Sequence, residues 1–100
     1  MKKLSVVVAL LNEEENISLL IEKTTEALRD IDHELILVDD GSKDRSVAVI
    51  RQHLQPHIKL IVLRKNYGQS AAMAAGIAAA EGKYVATMDA DLQNDPTDIP

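Results

Sequence analysis

The stretch "LSVVVALLNEEENISLLIEKTTEALRDIDHELILVDD", residues 4–40, joins two apolar runs through a segment of different periodicity. Residues 4–11 and 34–38 are nearly continuous Val, Leu and Ile of strand length, without the polar alternation of a half-exposed strand. Such runs belong to strands covered on both faces. Between them Ile17, Leu20, Ile21, Thr24 and Leu28 recur at three- and four-residue intervals, so residues 15–30 read as an amphipathic helix. Strand, helix and strand in this order form a parallel βαβ unit with a right-handed crossover.

The pattern continues along the chain. Residues 58–63 and 84–88 are two further strand-length apolar runs. Val47, Ile50 and Leu54 mark a second helix, with Asp44 expected as its N-cap and Pro56 as its end. A third helix is expected over residues 68–80, with Gly82 near the C′ position. Its stretch "QSAAMAAGIAAAEG", residues 69–82, is small on every side, which allows close approach to a sheet or a ligand and also carries high helix propensity. The expected architecture is α/β, a Rossmann-like parallel sheet with helices on both faces.

Composition narrows the function. The chain has 100 residues, the size of one small domain, and 46% of them are hydrophobic, with no Phe or Trp and two Tyr, so its core is aliphatic. A net charge of -5 without a basic cluster argues against nucleic acid as the partner, because phosphate neutralisation needs grouped Lys and Arg. The lack of cysteine removes disulfides, thiol nucleophiles and zinc-thiolate sites and fits a reducing compartment, so a cytoplasmic location is expected. Lys2 and Lys3 precede an apolar run too short to span a bilayer. The final "NDPTDIP", residues 94–100, reads as a helix beginning, with Asp95 as N-cap and Pro96 in the first turn; a chain stopping there is expected to be part of a longer polypeptide.

In an open parallel sheet, ligands bind beyond the carboxyl ends of the strands. Glu13, Glu14, Asp39, Asp40, Asp89 and Asp91 all fall at that edge, and gathered carboxylates call for a cation or for hydrogen-bond donors. Asp89 and Asp91 are two apart, so in an extended segment both face one side and can share an ion. Hard carboxylate oxygens suit Mg²⁺ or Mn²⁺ together with substrate phosphates, and Gln93 could add a carbonyl oxygen. The alternative for any one Asp-x-Asp is a turn or helix cap. "VDDGSKD", residues 38–44, has the same two readings: turn chemistry, or a carboxylate of Asp39 or Asp40 receiving a nucleobase N–H or ribose hydroxyl, a role also open to Glu13. No G-x-G-x-x-G and no G-x-x-x-x-G-K-[ST] occurs, which leaves metal and helix N-termini to hold phosphates. His53 and His57 are separated by Pro56 and carry no ligand pattern, and His33, at a strand start, is expected to be exposed.

Four stretches in register, "SVVVALLNEEENI", "LILVDDGSKDRS", "LRKNYGQSAAMAAGIAAAEG" and "VATMDADLQNDPTDIP", resemble the family-two glycosyltransferases of the GT-A fold, above all the dolichol-phosphate mannose synthase and bacterial polyprenyl-phosphate branch. The resemblance spans all 100 residues. It implies the nucleotide-sugar-binding part of an inverting, metal-dependent transferase acting on a UDP- or GDP-sugar. Leu11, Glu13, Asp39 and Asp40 would then hold base and ribose, with Asn66 and Gln69 near the sugar-nucleotide. Asp89 and Asp91 would form the DXD motif that binds Mg²⁺ or Mn²⁺ on the diphosphate, with Gln93 as a further ligand. A polyprenyl phosphate acceptor would bring the longer enzyme to the cytoplasmic face of a membrane. Ala9 stands where the family often has proline, and no catalytic base is assigned. Two other readings compete: an inactive nucleotide-binding or self-associating module, with a homo-oligomer as its form, and a phosphatase in which Asp89 accepts a phosphoryl group.

Overall fold

The computed structural model describes residues 3–89. Seven elements alternate along them: β1 (Leu4–Leu10), α1 (Ile17–Ala27), β2 (His33–Asp39), α2 (Ser46–Gln52), β3 (Ile58–Val62), α3 (Gln69–Ala79) and β4 (Tyr84–Asp89). The four strands form one sheet in the order β3-β2-β1-β4, and every pairing is parallel. This is the expected Rossmann-like arrangement. The chain steps outward from β1 to β3 and then returns to the other side of β1, so the strand order reverses between β1 and β4. A reversal of that kind opens a crevice at the carboxyl ends of the two strands.

Alternation along β1 and β2 explains the two layers. Val6, Val8 and Leu10 of β1 and Leu35 and Leu37 of β2 face α1 and α2, joining Ile17, Leu20, Ile21, Leu28 and Ile50 in the larger core. Val7, Ala9, Ile36 and Val38 point the other way, onto Ala72 of α3. Because both faces are covered, no position along β1 or β2 has to be polar to meet water, which is why the two runs are nearly continuous in sequence. Small residues let α3 lie close: a Cβ added at Gly76 would collide with the methyl groups of Val7 and Val38, the latter at 2.9 Å.

Several local expectations are corrected. α2 has only 7 residues and stops at Gln52, so Leu54 lies outside it and is 47% exposed. The turn into β3, closed by the Ile58 amide on the Gln55 carbonyl at 2.9 Å, occupies the residues that a longer helix would need. Asp44 is not the N-cap of α2; Arg45 is, and Asp44 accepts the Ser46 amide from one residue further back. Gly82 has no positive φ; it is small because a Cβ would meet the Ser5 amide nitrogen at 2.6 Å and the Leu4 carbonyl carbon at 2.8 Å. His33 is buried rather than exposed, its Nδ1 2.9 Å from the Ile31 carbonyl oxygen and its ring edge-on to His57 at 5.1 Å. The expected helix near residues 95–100 lies outside the described residues.

Candidate functional site

The carboxyl edge is built by extending the strand ladder into the loops. The Asp40 amide donates to the Leu10 carbonyl at 2.9 Å, and the Leu63 amide donates to the Asp39 carbonyl at 2.9 Å. Leu10 is paired with Asp39, Asp39 with Val62, and Ala9 with Asp89. Asp39 and Asp89 therefore end the two strands that flank β1. The backbone of Asp89 sits at the strand-order reversal, where the crevice opens.

Adjacent aspartates at the end of β2 have different surroundings. Asp40, 3% exposed, accepts the Tyr67 amide on one carboxylate oxygen at 2.9 Å and the Gly68 amide on the other at 3.1 Å. It thereby fastens the loop that leads into α3. Gly41, at φ +82°, lets the same loop pass: any side chain there would sit 2.7 Å from the Asn66 amide nitrogen. Asp39, 1% exposed, accepts the Ser42 amide on Oδ2 at 2.9 Å, whereas its buried Oδ1 has no partner among the described residues. A buried carboxylate oxygen without a donor is costly, and donors from a ligand relieve that cost.

The loops after β1 and β2 are laced together by short polar side chains. The Asn12 amide donates to Ser42 Oγ at 2.8 Å, and Asn12 Oδ1 accepts the Lys43 amide at 2.8 Å. Asn12 adopts φ 54°, a left-handed conformation that Asn tolerates better than most residues. The Glu13 amide donates to Ser46 Oγ at 3.0 Å and the Glu14 amide to Asp44 Oδ2 at 3.2 Å. Burial raises the pKa of Asp44, but the Ser46 hydroxyl and the Ser46 and Glu14 amides outweigh it and hold the carboxyl below its usual value. Ser42, Asp44, Ser46 and Asn12 thus position the first loop. Asn12, Ser42 and Ser46 do not stand out as site residues in the sequence; the i, i+2, i+4 spacing of polar residues at 42, 44 and 46 is the available signal.

The remaining candidates fall around this edge. Leu11 follows β1 and is 37% exposed, and Glu13 is half-buried, receiving the Asn16 side-chain amide at 2.9 Å. Asn66 is exposed and accepts the Gly68 amide at 3.0 Å, while Gln69 opens α3 on the surface. An open hollow of about 320 Å³ is lined by Asn12, Glu13, Glu14, Glu15, Asn16 and Asp44. Among the described residues no group of three or more Asp, Glu or His side chains is placed to hold a metal ion. Of the expected ligand set, Asp91 and Gln93 lie outside the described residues, and only the backbone of Asp89 is described.

The fold is a Rossmann-like α/β sheet with an acidic carboxyl edge, and comparison with known proteins gives the class. The model of the glycosyl transferase family 2 matches residues 5–100, and the chain belongs to that family. Within it, the chain is 48% identical over 104 residues to the undecaprenyl-phosphate 4-deoxy-4-formamido-L-arabinose transferase of Photorhabdus laumondii, an alignment covering 99% of this chain and 32% of the relative. It is 46% identical over 103 residues to the dodecaprenyl-phosphate galacturonate synthase of Rhizobium johnstonii, covering 98% of this chain and 30% of that one. The chain therefore spans about a third of the length of the curated relatives it matches. Among solved structures it is similar to the mannosyltransferase of Pyrobaculum calidifontis in complex with GDP-Man and Mn²⁺, with a TM-score of 0.81, 25% identity and coverage of 90% of this chain and 28% of the other.

Proposed function

We propose that this chain is the donor-binding part of a metal-dependent, inverting glycosyltransferase that moves a sugar from a UDP- or GDP-sugar to a polyprenyl phosphate. The observation that carries the reading is the buried Oδ1 of Asp39 at the carboxyl edge, without a donor among the described residues. Uracil and guanine each present a ring N–H that a carboxylate accepts, so either base meets that need. Leu11 and Glu13 border the same edge, and Asp40, Asn66 and Gln69 shape its other wall. Two relatives that differ in the sugar named share a polyprenyl phosphate in their names, which supports the acceptor class and leaves the sugar open.

Asp89 and Asp91, with Gln93, would hold Mg²⁺ or Mn²⁺ on the donor diphosphate. When bound, that ion supplies Lewis-acid stabilisation of charge on the departing nucleoside diphosphate. Support comes from the position of Asp89 at the strand-order reversal and from the Mn²⁺ in the mannosyltransferase structure. A phosphate acceptor is already ionised, so an oxygen of the polyprenyl phosphate attacks the anomeric carbon with little need of a protein base. The enzyme would work at the cytoplasmic face of a membrane; no helix among the described residues is long and apolar enough to cross one.

Asp39→Asn tests the base contact. The amide keeps an acceptor for Ser42 and turns a donor toward the nucleobase N–H, so donor affinity should fall about 10- to 150-fold, the range for a hydrogen bond to a charged group. Unchanged affinity in the folded variant would contradict the assignment. A second reading, a self-associating module without turnover, is favoured by one observation: Tyr84 and Val85 of β4 are 57% and 45% exposed. Sedimentation of the chain as a monomer would remove it.

A further inference from the structure

At the amino edge, away from the loops described above, a polar cluster runs across β3, β2 and β1 to the turn that precedes β4. Glu34 of β2 is 2% exposed, beneath the end of α3. Its Oε2 accepts the Ser5 hydroxyl of β1 at 2.6 Å and the Glu81 amide at 2.6 Å, and its Oε1 lies 2.8 Å from Lys59 Nζ of β3. Ser5 Oγ in turn accepts the Gly82 amide at 2.7 Å, and Lys59 reaches the Glu81 carboxylate at 3.5 Å. Two residues later β4 begins, the Tyr84 amide donating to the Lys3 carbonyl at 2.9 Å.

β4 has little else to fix it lengthwise. Among its described side chains only Met88 is buried, and Tyr84, Val85 and Thr87 are exposed. Parallel pairing specifies register weakly when the buried pattern is sparse, and a methionine adapts to several seats. A slip of two residues would keep every side chain on its face and carry Asp89 about 6.6 Å along β1. The turn before β4 permits no such slip: Ser5 and Glu34 hold two consecutive amides, and Gly82 is pressed so close to Leu4 and Ser5 that no Cβ fits.

We infer that Ser5, Glu34 and Gly82 form a register lock that sets where β4 lies along β1, and so place Asp89 in the site at the opposite end of the strand. These are positioning residues, and the link to catalysis rests on the function proposed above. Amide hydrogen exchange read strand by strand, on the full chain, tests the lock without any ligand. In Ser5→Ala, which keeps a small residue and a foldable core, the amides of residues 84–89 should exchange about tenfold faster while those of residues 33–39 and 58–62 keep their protection, as loss of one buried acceptor requires. Glu34→Ala should do the same, and Glu34→Gln, which retains an acceptor oxygen for Ser5 and Glu81, should restore most of the protection. Loosening that is uniform over all strands, or absent from β4, would overturn the lock.

Affinity for GDP-mannose or UDP-glucose in the presence of Mn²⁺ is the second readout. A fall of about tenfold in Ser5→Ala alongside the loosened β4 supports the placement of Asp89. Full affinity with a loosened β4 overturns that placement. If the unaltered protein binds neither donor, the functional reading fails by itself, and the exchange result still decides the lock.

Discussion

Asp39 and Asp40 are neighbours in sequence, equally buried, and opposite in their bonding. Asp40 answers two loop amides, so Asp40→Ala would leave the Tyr67 amide without its acceptor and the Gly68 amide with the Asn66 side chain alone. The expected cost is about 2 kcal/mol, measured as a lower urea midpoint at unchanged slope. Asp39 answers one amide and keeps an oxygen for something else. The sequence marked both acids as candidates and could not separate them, because the difference depends on where residues 66–68 return in space. The same holds for His33: its place at a strand start said nothing of the His57 ring that packs against it. Glu34 went unnoticed inside an apolar run, since its partners Ser5, Lys59 and Glu81 come from three distant segments.

Elements were more legible than residues wherever periodicity was strong. All four strands and the buried face of α1 follow from apolar spacing, because burial on one stripe or on both sheet faces leaves a repeating mark. α2 is shorter than its apolar spacing suggests, since Leu54 continues that spacing after the backbone has already turned toward β3. α3 was legible for its small residues, and the structure gives the reason at Gly76. Gly76→Ala should destabilise the fold by about 1–3 kcal/mol despite alanine's better helix propensity, as the added methyl drives into Val7 and Val38. Thermal unfolding beside an exposed control, Ala78→Gly, separates packing from propensity; a stabilised Gly76→Ala would contradict the close approach.

For the molecule as a whole, charge and fold act together. Burial raises the pKa of Glu34, but Lys59, Ser5 and the Glu81 amide outweigh it, so the folded state holds this carboxyl below its ordinary 4.5. A depressed carboxyl contributes stability above its unfolded pKa, and that contribution is lost as pH falls through the folded value. Asp44 behaves in the same sense around an ordinary 3.8. Stability should therefore drop below about pH 4.5, and Glu34→Gln should flatten the drop, as followed by melting temperature against pH. Lys59 works in the other direction: hydrogen-bonded to Glu34, it is raised above 10.5, and its contribution is lost only as pH climbs past that value. Neither group titrates near neutrality, so the amino edge stays clamped under working conditions.

The parallel sheet and the acidic carboxyl edge, both expected from sequence, and the strand-order reversal seen in the structure converge on one expectation about binding. Calorimetric titration with UDP-glucose and GDP-mannose, each with and without Mn²⁺ and beside an Asp91→Ala variant, examines it directly. Binding of one donor that requires Mn²⁺ and disappears in Asp91→Ala is the expected result. Absence of binding by a folded protein, or binding indifferent to both Mn²⁺ and Asp91, would contradict the proposed donor site.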